Sequence, residues 1–161
     1  ILRESGLKMI MWGVESASNR ILKLINKGTN VKDIQTVLKN SHDAGIKNVV
    51  YMIAGFPSET KEEFLESIKL IETNPIDLVS FSVFGLQKNT EIFSNPNKFQ
   101  IKSITEHPRT VLEPNLTYEV KSGLTQKQAA KLRDNYQKTI LKVNTFPRSM
   151  NFFREHMLTL L

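Results

Sequence analysis

The sequence of 161 residues contains no cysteine. This absence excludes disulfide bonds, thiolate nucleophiles and cysteine-held zinc or iron-sulfur clusters within the chain. The sequence also has no apolar run near the roughly 20 residues that span a bilayer and no signal-peptide pattern, which favours a cytoplasmic location without a membrane partner. It has no P-loop, nucleophile-elbow or dinucleotide fingerprint. The function must therefore be sought in other residue patterns.

The composition is that of a protein that folds, with 40% hydrophobic and 24% charged residues. The net charge of +6 is modest, and its basic residues are scattered, so a solvated surface is favoured over nucleic-acid binding. The length fits one domain with its own core. Because the sequence opens on ILRESG without a methionine, we expect a fragment of a longer protein.

Three apolar segments predict buried strands, at residues 8–15, 48–55 and 78–85. Each segment is nearly continuous in its apolar residues, as in strands of a parallel sheet that is covered on both faces. Helical patterns separate the segments. The alternation predicts an α/β fold built from right-handed βαβ crossovers, with a parallel sheet that is either open or part of a barrel.

Capping residues mark where the helices begin. Ser18 and Asn30 each precede a helical pattern, and Thr60 with Glu63 forms a capping box before a third. After residue 85 the sequence predicts irregular backbone with one short strand at 117–120. Two further helices are predicted, one at residues 126–144 after Thr125 and one at 148–161.

Ligands of parallel α/β sheets bind at the carboxyl ends of the strands, which here fall at residues 13–16, 55–60 and 84–87. All three ends contain glycine, which permits a close approach by a ligand or by another backbone. Glu15 is the most informative residue, because a carboxylate that ends an apolar strand needs a partner. It is either paired within the sheet or an acceptor for ribose hydroxyls or an ammonium group.

Other polar residues have ordinary explanations. Glu59 is predicted to lie in a first helical turn, where the helix dipole favours acidic residues. Asp77 is interpreted as an ordinary residue at the start of its strand. His42, His107 and His156 lack the spacing of metal ligands and are interpreted as ordinary histidines.

Three runs of the sequence resemble the second half of the radical S-adenosylmethionine (SAM) core. They are RESGLKMIMWGVESASNRILKLINKG, HDAGIKNVVYMIAGFPSETKEEFLESI and DLVSFSVFGLQKNT. The ordered motifs GVES, NKG and GFPSET look most similar to the elongator-like subgroup, which includes methylthiotransferases and coproporphyrinogen-oxidase-like enzymes. The resemblance covers about residues 1–101, and leaves residues 102–161 as an irregular linker and a helical C-terminal region.

In that family a partial (β/α)6 barrel holds a [4Fe-4S] cluster on a CxxxCxxC loop after the first strand. The cluster binds SAM and splits it reductively to methionine and a 5′-deoxyadenosyl radical. The resemblance implies that the three strands here are the fourth, fifth and sixth of six. It implies SAM as a cofactor, and a cluster only in the parent protein, because this chain has no cysteine.

Matching motifs imply the positions that would contact SAM. Glu15, with Ser16, would present polar groups to the ribose. Lys27 is either a cation for the carboxylate of SAM or an ordinary exposed lysine, and Ile53 would pack on the adenine. The remaining implied positions are at the fifth and sixth strand ends: Gly55, Phe84, Gly85 and Leu86. The resemblance places neither a catalytic residue nor a metal ligand in this chain.

Departures from the family pattern limit what this chain would do alone. Some relatives carry an aspartate on the fifth strand where this chain has Tyr51, so the ribose contact there is left open. We expect the chain to require the N-terminal half of the same protein, and the substrate is not indicated. One alternative is a non-catalytic half-barrel that binds or scaffolds. Another is a phosphate-binding enzyme that uses the helix after Ser58, although the acidic residues at that helix start argue against it.

Overall fold

The computed structural model describes residues 1–108 and 116–144. Its centre is a parallel sheet of three strands in the order β1-β2-β3, with β1 at Met9–Glu15, β2 at Lys47–Ala54 and β3 at Leu78–Val83. Each strand lies within one or two residues of the predicted segment. The predicted α/β class with a parallel sheet is therefore confirmed.

Three helices connect the strands: α1 at Asn19–Leu24, α2 at Val31–Asp43 and α3 at Lys61–Thr73. The predicted caps are present, since the Ser18, Asn30 and Thr60 side chains each accept a hydrogen bond from the backbone N–H three residues on. At α3 the Glu63 side chain also accepts from the Thr60 N–H, which completes the predicted capping box. Local capping thus sets where each crossover helix begins.

The helices cover one face of the sheet. Met52 of β2 and Phe81 of β3 lie on this face and are paired in register, and the Phe81 ring stacks on Phe64 of α3 with centroids 5.5 Å apart. The opposite face carries Met11, 57% exposed, and the half-buried Ile53. This second face is covered in part, since Val49 and Leu78, which lie in register with Met11, are fully buried. The prediction of strands covered on both faces therefore holds for part of the sheet and not for its edge at Met11. This second face is called the inner face below.

Beyond β3, the structure is more regular than predicted. Ile101–Glu106 forms β4, which pairs antiparallel with β5 at Leu116–Val120, and a short helix α4 at Glu91–Ser94 is followed by a 3-10 turn at Pro96–Phe99. The strand predicted at 117–120 is confirmed, whereas the irregular backbone predicted before it is wrong for these elements. Strand β4 has only one fully buried residue, so its own apolar pattern was too sparse to indicate a strand.

The next helical segment was predicted as one helix and consists of two, α5 at Gln126–Asn135 and α6 at Gln137–Val143. The break is at Tyr136, whose ring packs edge-on against Phe64 at 5.9 Å. Ala129 and Ile140 of these helices belong to the same core as the parallel sheet. The helix predicted at 148–161 lies outside the described residues.

Candidate functional site

A cavity of about 400 Å³ lies at the carboxyl ends of β1 and β2, on the inner face. Its volume falls within the range of about 300–1,000 Å³ that is typical of small-molecule sites. Glu15, Lys27 and Ile53 all line it. Apolar side chains from α1, from the loop after β2 and from the segment before β4 complete the wall: Ile21, Ile25, Phe56, Ile92 and Phe99.

The backbone at the end of β1 turns sharply at Glu15. The register of β1 against β2 shifts between Gly13 and Glu15, which places Val14 in a bulge. Glu15 has a φ of 67°, and the Ser16 N–H donates a hydrogen bond to the Val14 carbonyl at 2.9 Å, a pattern typical of the rare γ-turn with positive φ. Bulges redirect side chains beside functional sites, and left-handed backbone at a non-glycine residue is concentrated at such sites.

Lys27 pairs with the redirected carboxylate. Its Nζ donates to Glu15 Oε1 at 3.2 Å, and the side chains are 31% and 25% exposed, respectively. Of the two alternatives that the sequence left open, the structure shows an ion pair for Glu15, with a lysine outside the sheet; because Glu15 also lines the cavity, its contact with a ligand stays a prediction. The site therefore offers an anionic acceptor and a cationic donor side by side.

The remaining lining of the cavity is largely apolar. Ile53 stands on the inner face of β2, and Phe56 follows in the loop. The Phe56 ring packs edge-on against Phe84 and Phe99, with centroids 5.0 and 6.2 Å apart. These aromatic contacts fix the position of the Phe56 ring in the lining of the same cavity as the charged pair.

The other predicted SAM-contacting residues lie behind the cavity wall. Ser16 is buried, and its hydroxyl accepts from the Ser18 N–H at 3.1 Å. Leu86 belongs to a separate buried cluster under β4 and β5, and Phe84 supports Phe56. Gly55 and Gly85 are outside the set of lining residues. The structure thus brings together Glu15, Lys27 and Ile53 in one cavity wall, and the SAM contacts assigned to all eight residues stay predictions.

Sequence reasoning missed the character of Glu59. Its side chain is fully buried, one carboxylate oxygen accepts from the Gly55 N–H at 2.5 Å, and the other has no hydrogen-bond partner among the described residues. The pKa of Glu59 is raised to about 7, chiefly by burial; the Gly55 N–H opposes this rise, nearby Glu63 adds to it, and Arg20 opposes it. The prediction that Glu59 lies in a first helical turn is wrong, because α3 begins at Lys61 and its N-cap is Thr60, so Glu59 precedes the helix.

Arg20 joins the loops that follow β1 and β2. Its guanidinium donates to both carboxylate oxygens of Glu63, at 2.8 and 2.6 Å, and to the side chain and carbonyl of Ser58, at 3.0 and 2.7 Å. Although burial opposes it, the hydrogen bonds from Arg20, Ser18 and Thr60 hold the pKa of Glu63 down at about 2. Ser58 has a φ of 75°, so Arg20 stabilises an unfavourable backbone conformation beside the apolar wall.

Residues 1–108 and 116–144 contain neither a membrane-spanning helix nor a metal-binding cluster. In these ranges no helix is long and apolar enough to cross a membrane. No group of three or more histidine, aspartate or glutamate side chains is placed there to hold a metal ion.

The sequence matches the family model of the radical SAM superfamily over residues 1–71. An uncharacterised methyltransferase from Pyrococcus horikoshii is 34% identical over 82 residues, which are 51% of this chain and 18% of that protein. The tRNA-2-methylthio-N(6)-dimethylallyladenosine synthase of Thermotoga petrophila is 32% identical over 87 residues, 52% of this chain and 19% of that enzyme. The chain therefore spans about a fifth of the length of these relatives.

A solved structure has a similar fold. Coproporphyrinogen III oxidase from Escherichia coli, a radical SAM enzyme, aligns with 96% of this chain and 28% of its own, with a TM-score of 0.55 and 17% sequence identity. This likeness shows the fold alone, that of a partial parallel (β/α) barrel.

Proposed function

We propose that this chain, a member of the radical SAM superfamily with methylthiotransferases among its relatives, supplies SAM-binding strand ends to a radical SAM iron-sulfur enzyme. The observation that carries the proposal is the Glu15–Lys27 pair, 3.2 Å apart, which lines one cavity together with Ile53 at the ends of β1 and β2. Strand ends of this kind are where parallel α/β proteins bind small molecules.

The three side chains match the chemistry of SAM. Its ribose diol offers hydroxyl donors that the Glu15 carboxylate can accept, and its methionyl carboxylate is an anion that the Lys27 ammonium can meet. Its adenine is a flat apolar surface suited to Ile53 and to the aromatic residues behind it. A ligand of this composition would satisfy both charges of the wall and cover its apolar part.

The cluster cannot be held by these residues. The chain has no cysteine, so the thiolates of a CxxxCxxC loop must come from another part of the parent protein. When bound, SAM and the reduced cluster supply a 5′-deoxyadenosyl radical. The residues of this chain would bind and orient SAM and exclude water, and correct orientation can contribute about 7–11 kcal/mol to a rate enhancement.

The exposed edge of the inner face, at β1, supports a partner that completes the barrel. Strand β1 lies at an edge of the sheet, and Met11 on that strand is 57% exposed. The N-terminal half of the same protein would cover this face and extend the sheet. The division of the chain at residues 101 and 102 and a cytoplasmic location remain predictions of the sequence.

A second candidate is a half-barrel that binds or scaffolds without catalysis. The absence of cysteine favours it, because the isolated chain can hold no cluster on thiolates. A complete gene that encodes CxxxCxxC upstream of these residues would contradict this candidate, and a natural start codon at Ile1 would contradict the enzyme proposal.

The product of the complete gene, reconstituted with iron and sulfide without oxygen, tests the activity. On reduction with dithionite in the presence of SAM, we expect release of 5′-deoxyadenosine and methionine, measured by liquid chromatography. The same protein without added iron is the control. If a preparation with a loaded four-iron cluster released neither product, the proposed function would be wrong.

A further inference from the structure

We propose that Gly13 is a positioning residue of the site, because its missing side chain leaves the space in which the Glu15–Lys27 pair lies. The inference rests on the proposed function and deepens it. It concerns a glycine that contacts no ligand and whose effect would pass through the two charged side chains.

The space beside Gly13 is filled by the pair. A Cβ atom built on Gly13 would lie 2.8 Å from Glu15 Oε1 and 3.1 Å from Lys27 Nζ. Real Cβ atoms essentially never approach another heavy atom as closely as the first distance. Any side chain at this position would therefore displace the carboxylate oxygen that accepts from Lys27.

Backbone freedom does not explain the glycine. Gly13 is absent from the glycines with positive φ, unlike Gly28 and Gly55, and it continues the ladder with β2 opposite Tyr51. Alanine could adopt the same strand conformation without strain. What distinguishes Gly13 is the space on the inner face, where its Cβ would point.

The bulge and the turn bring Glu15 back over this space. The extra residue between Gly13 and Glu15 and the φ of 67° at Glu15 turn the carboxylate toward the strand that precedes it. A carboxylate in a regular strand would stand clear of the residue two positions earlier. The unfavourable backbone conformation at Glu15 and the missing side chain at Gly13 thus both allow the Glu15–Lys27 pair to occupy this space.

The atoms that a Cβ at position 13 would clash with are the ends of flexible side chains. Glu15 Oε1 and Lys27 Nζ can move by rotation about their own bonds, and the pair is partly exposed. Gly13→Ala should therefore leave the fold intact while the pair separates or swings out. This separation between stability and ligand affinity distinguishes a positioning role from a structural one.

A double-mutant cycle on the cluster-loaded product of the complete gene tests the inference, with SAM affinity measured by equilibrium dialysis and stability by urea unfolding. We expect Gly13→Ala to lower the affinity for SAM about tenfold, since charge-assisted contacts of this kind carry effects of that size. The unfolding midpoint should not change. In the Glu15→Ala background the same substitution should cost no further affinity, because the displaced carboxylate is gone.

Each of the other possible outcomes would overturn either the role of Gly13 or the proposed site. Full affinity in Gly13→Ala, with a loss in Glu15→Ala, would overturn the role of Gly13 and leave the proposed function standing. An equal loss in both backgrounds would also overturn it, since Gly13 would then act without Glu15. Unfolding of Gly13→Ala would contradict the flexible-end argument. Unchanged affinity in both single variants would contradict the proposed site itself.

Discussion

The stability difference between the wild-type chain and Glu59→Gln should change by about 3 kcal/mol between about pH 4.5 and pH 7. Burial raises the pKa of Glu59 to about 7, above its ordinary 4.5. In this window the folded chain keeps a proton that the unfolded chain has lost, so stability is highest below pH 4.5 and falls as the pH rises through 7. The glutamine variant carries no such proton.

Urea unfolding followed by the fluorescence of Trp12, the one tryptophan, measures this difference. Glu62→Gln is the matched control, because Glu62 is an exposed carboxylate three residues away, in the first turn of α3, and its replacement should leave the pH slope unchanged. Glu63 acts in the opposite direction, since its pKa of about 2 stabilises the fold above pH 4.5 and this stability is lost as the pH falls. A wild-type minus Glu59→Gln difference that is flat in pH would show that Glu59 titrates normally.

Gly55→Ala should lower the free energy of unfolding by about 2–4 kcal/mol, which combines backbone strain with overpacking. Gly55 has a φ of 74°, and a Cβ atom there would lie 2.4 Å from the Cβ of Ala129 in α5. Two neighbouring contacts tie the same loop to the C-terminal segment, since the Leu124 N–H donates to the Glu59 carbonyl at 2.7 Å and Tyr118 Oη to the Gly55 carbonyl at 3.3 Å.

Urea unfolding of a matched glycine separates the two causes. Gly28 has a φ of 72° and nothing within 4 Å of its Cβ position, so Gly28→Ala should show the strain alone, about 1–2 kcal/mol. In the Gly55→Ala background, Ala129→Gly should restore roughly 1–2 kcal/mol of the lost free energy of unfolding, which measures the coupling energy between the two positions. Equal losses at the two glycines, with no coupling to position 129, would mean that α5 does not pack on this loop.

The parallel sheet and its helices were predictable because the information is local. Apolar runs, the caps at Ser18, Asn30 and Thr60, and the capping box at Glu63 each act within a few residues. Strand β4 was not predictable, since its pairing partner β5 begins ten residues after it ends and its own pattern is weak. The division between α5 and α6 likewise coincides with a tertiary contact, that of Tyr136 with Phe64.

The residues of the candidate site were likewise predictable from the sequence only in part. Glu15 was indicated by its position after an apolar strand, and Lys27 and Ile53 by the resemblance. The left-handed turn at Glu15 left no signal, because glutamate does not favour that conformation. Phe99 and Ile92 come from a segment predicted to be irregular, and the buried state of Glu59 depends on packing by α5 and β5, far along the chain.

Equilibrium binding of radiolabelled SAM to the cluster-loaded product of the complete gene tests the proposed site most directly. Glu15→Gln and Lys27→Met should each weaken binding about tenfold or more, because each removes one charged partner of a half-buried site. Lys39→Met, which breaks an exposed pair with Asp43 on the far side of α2, should bind like the wild type. Unchanged affinity in both Glu15→Gln and Lys27→Met would contradict SAM binding at these strand ends.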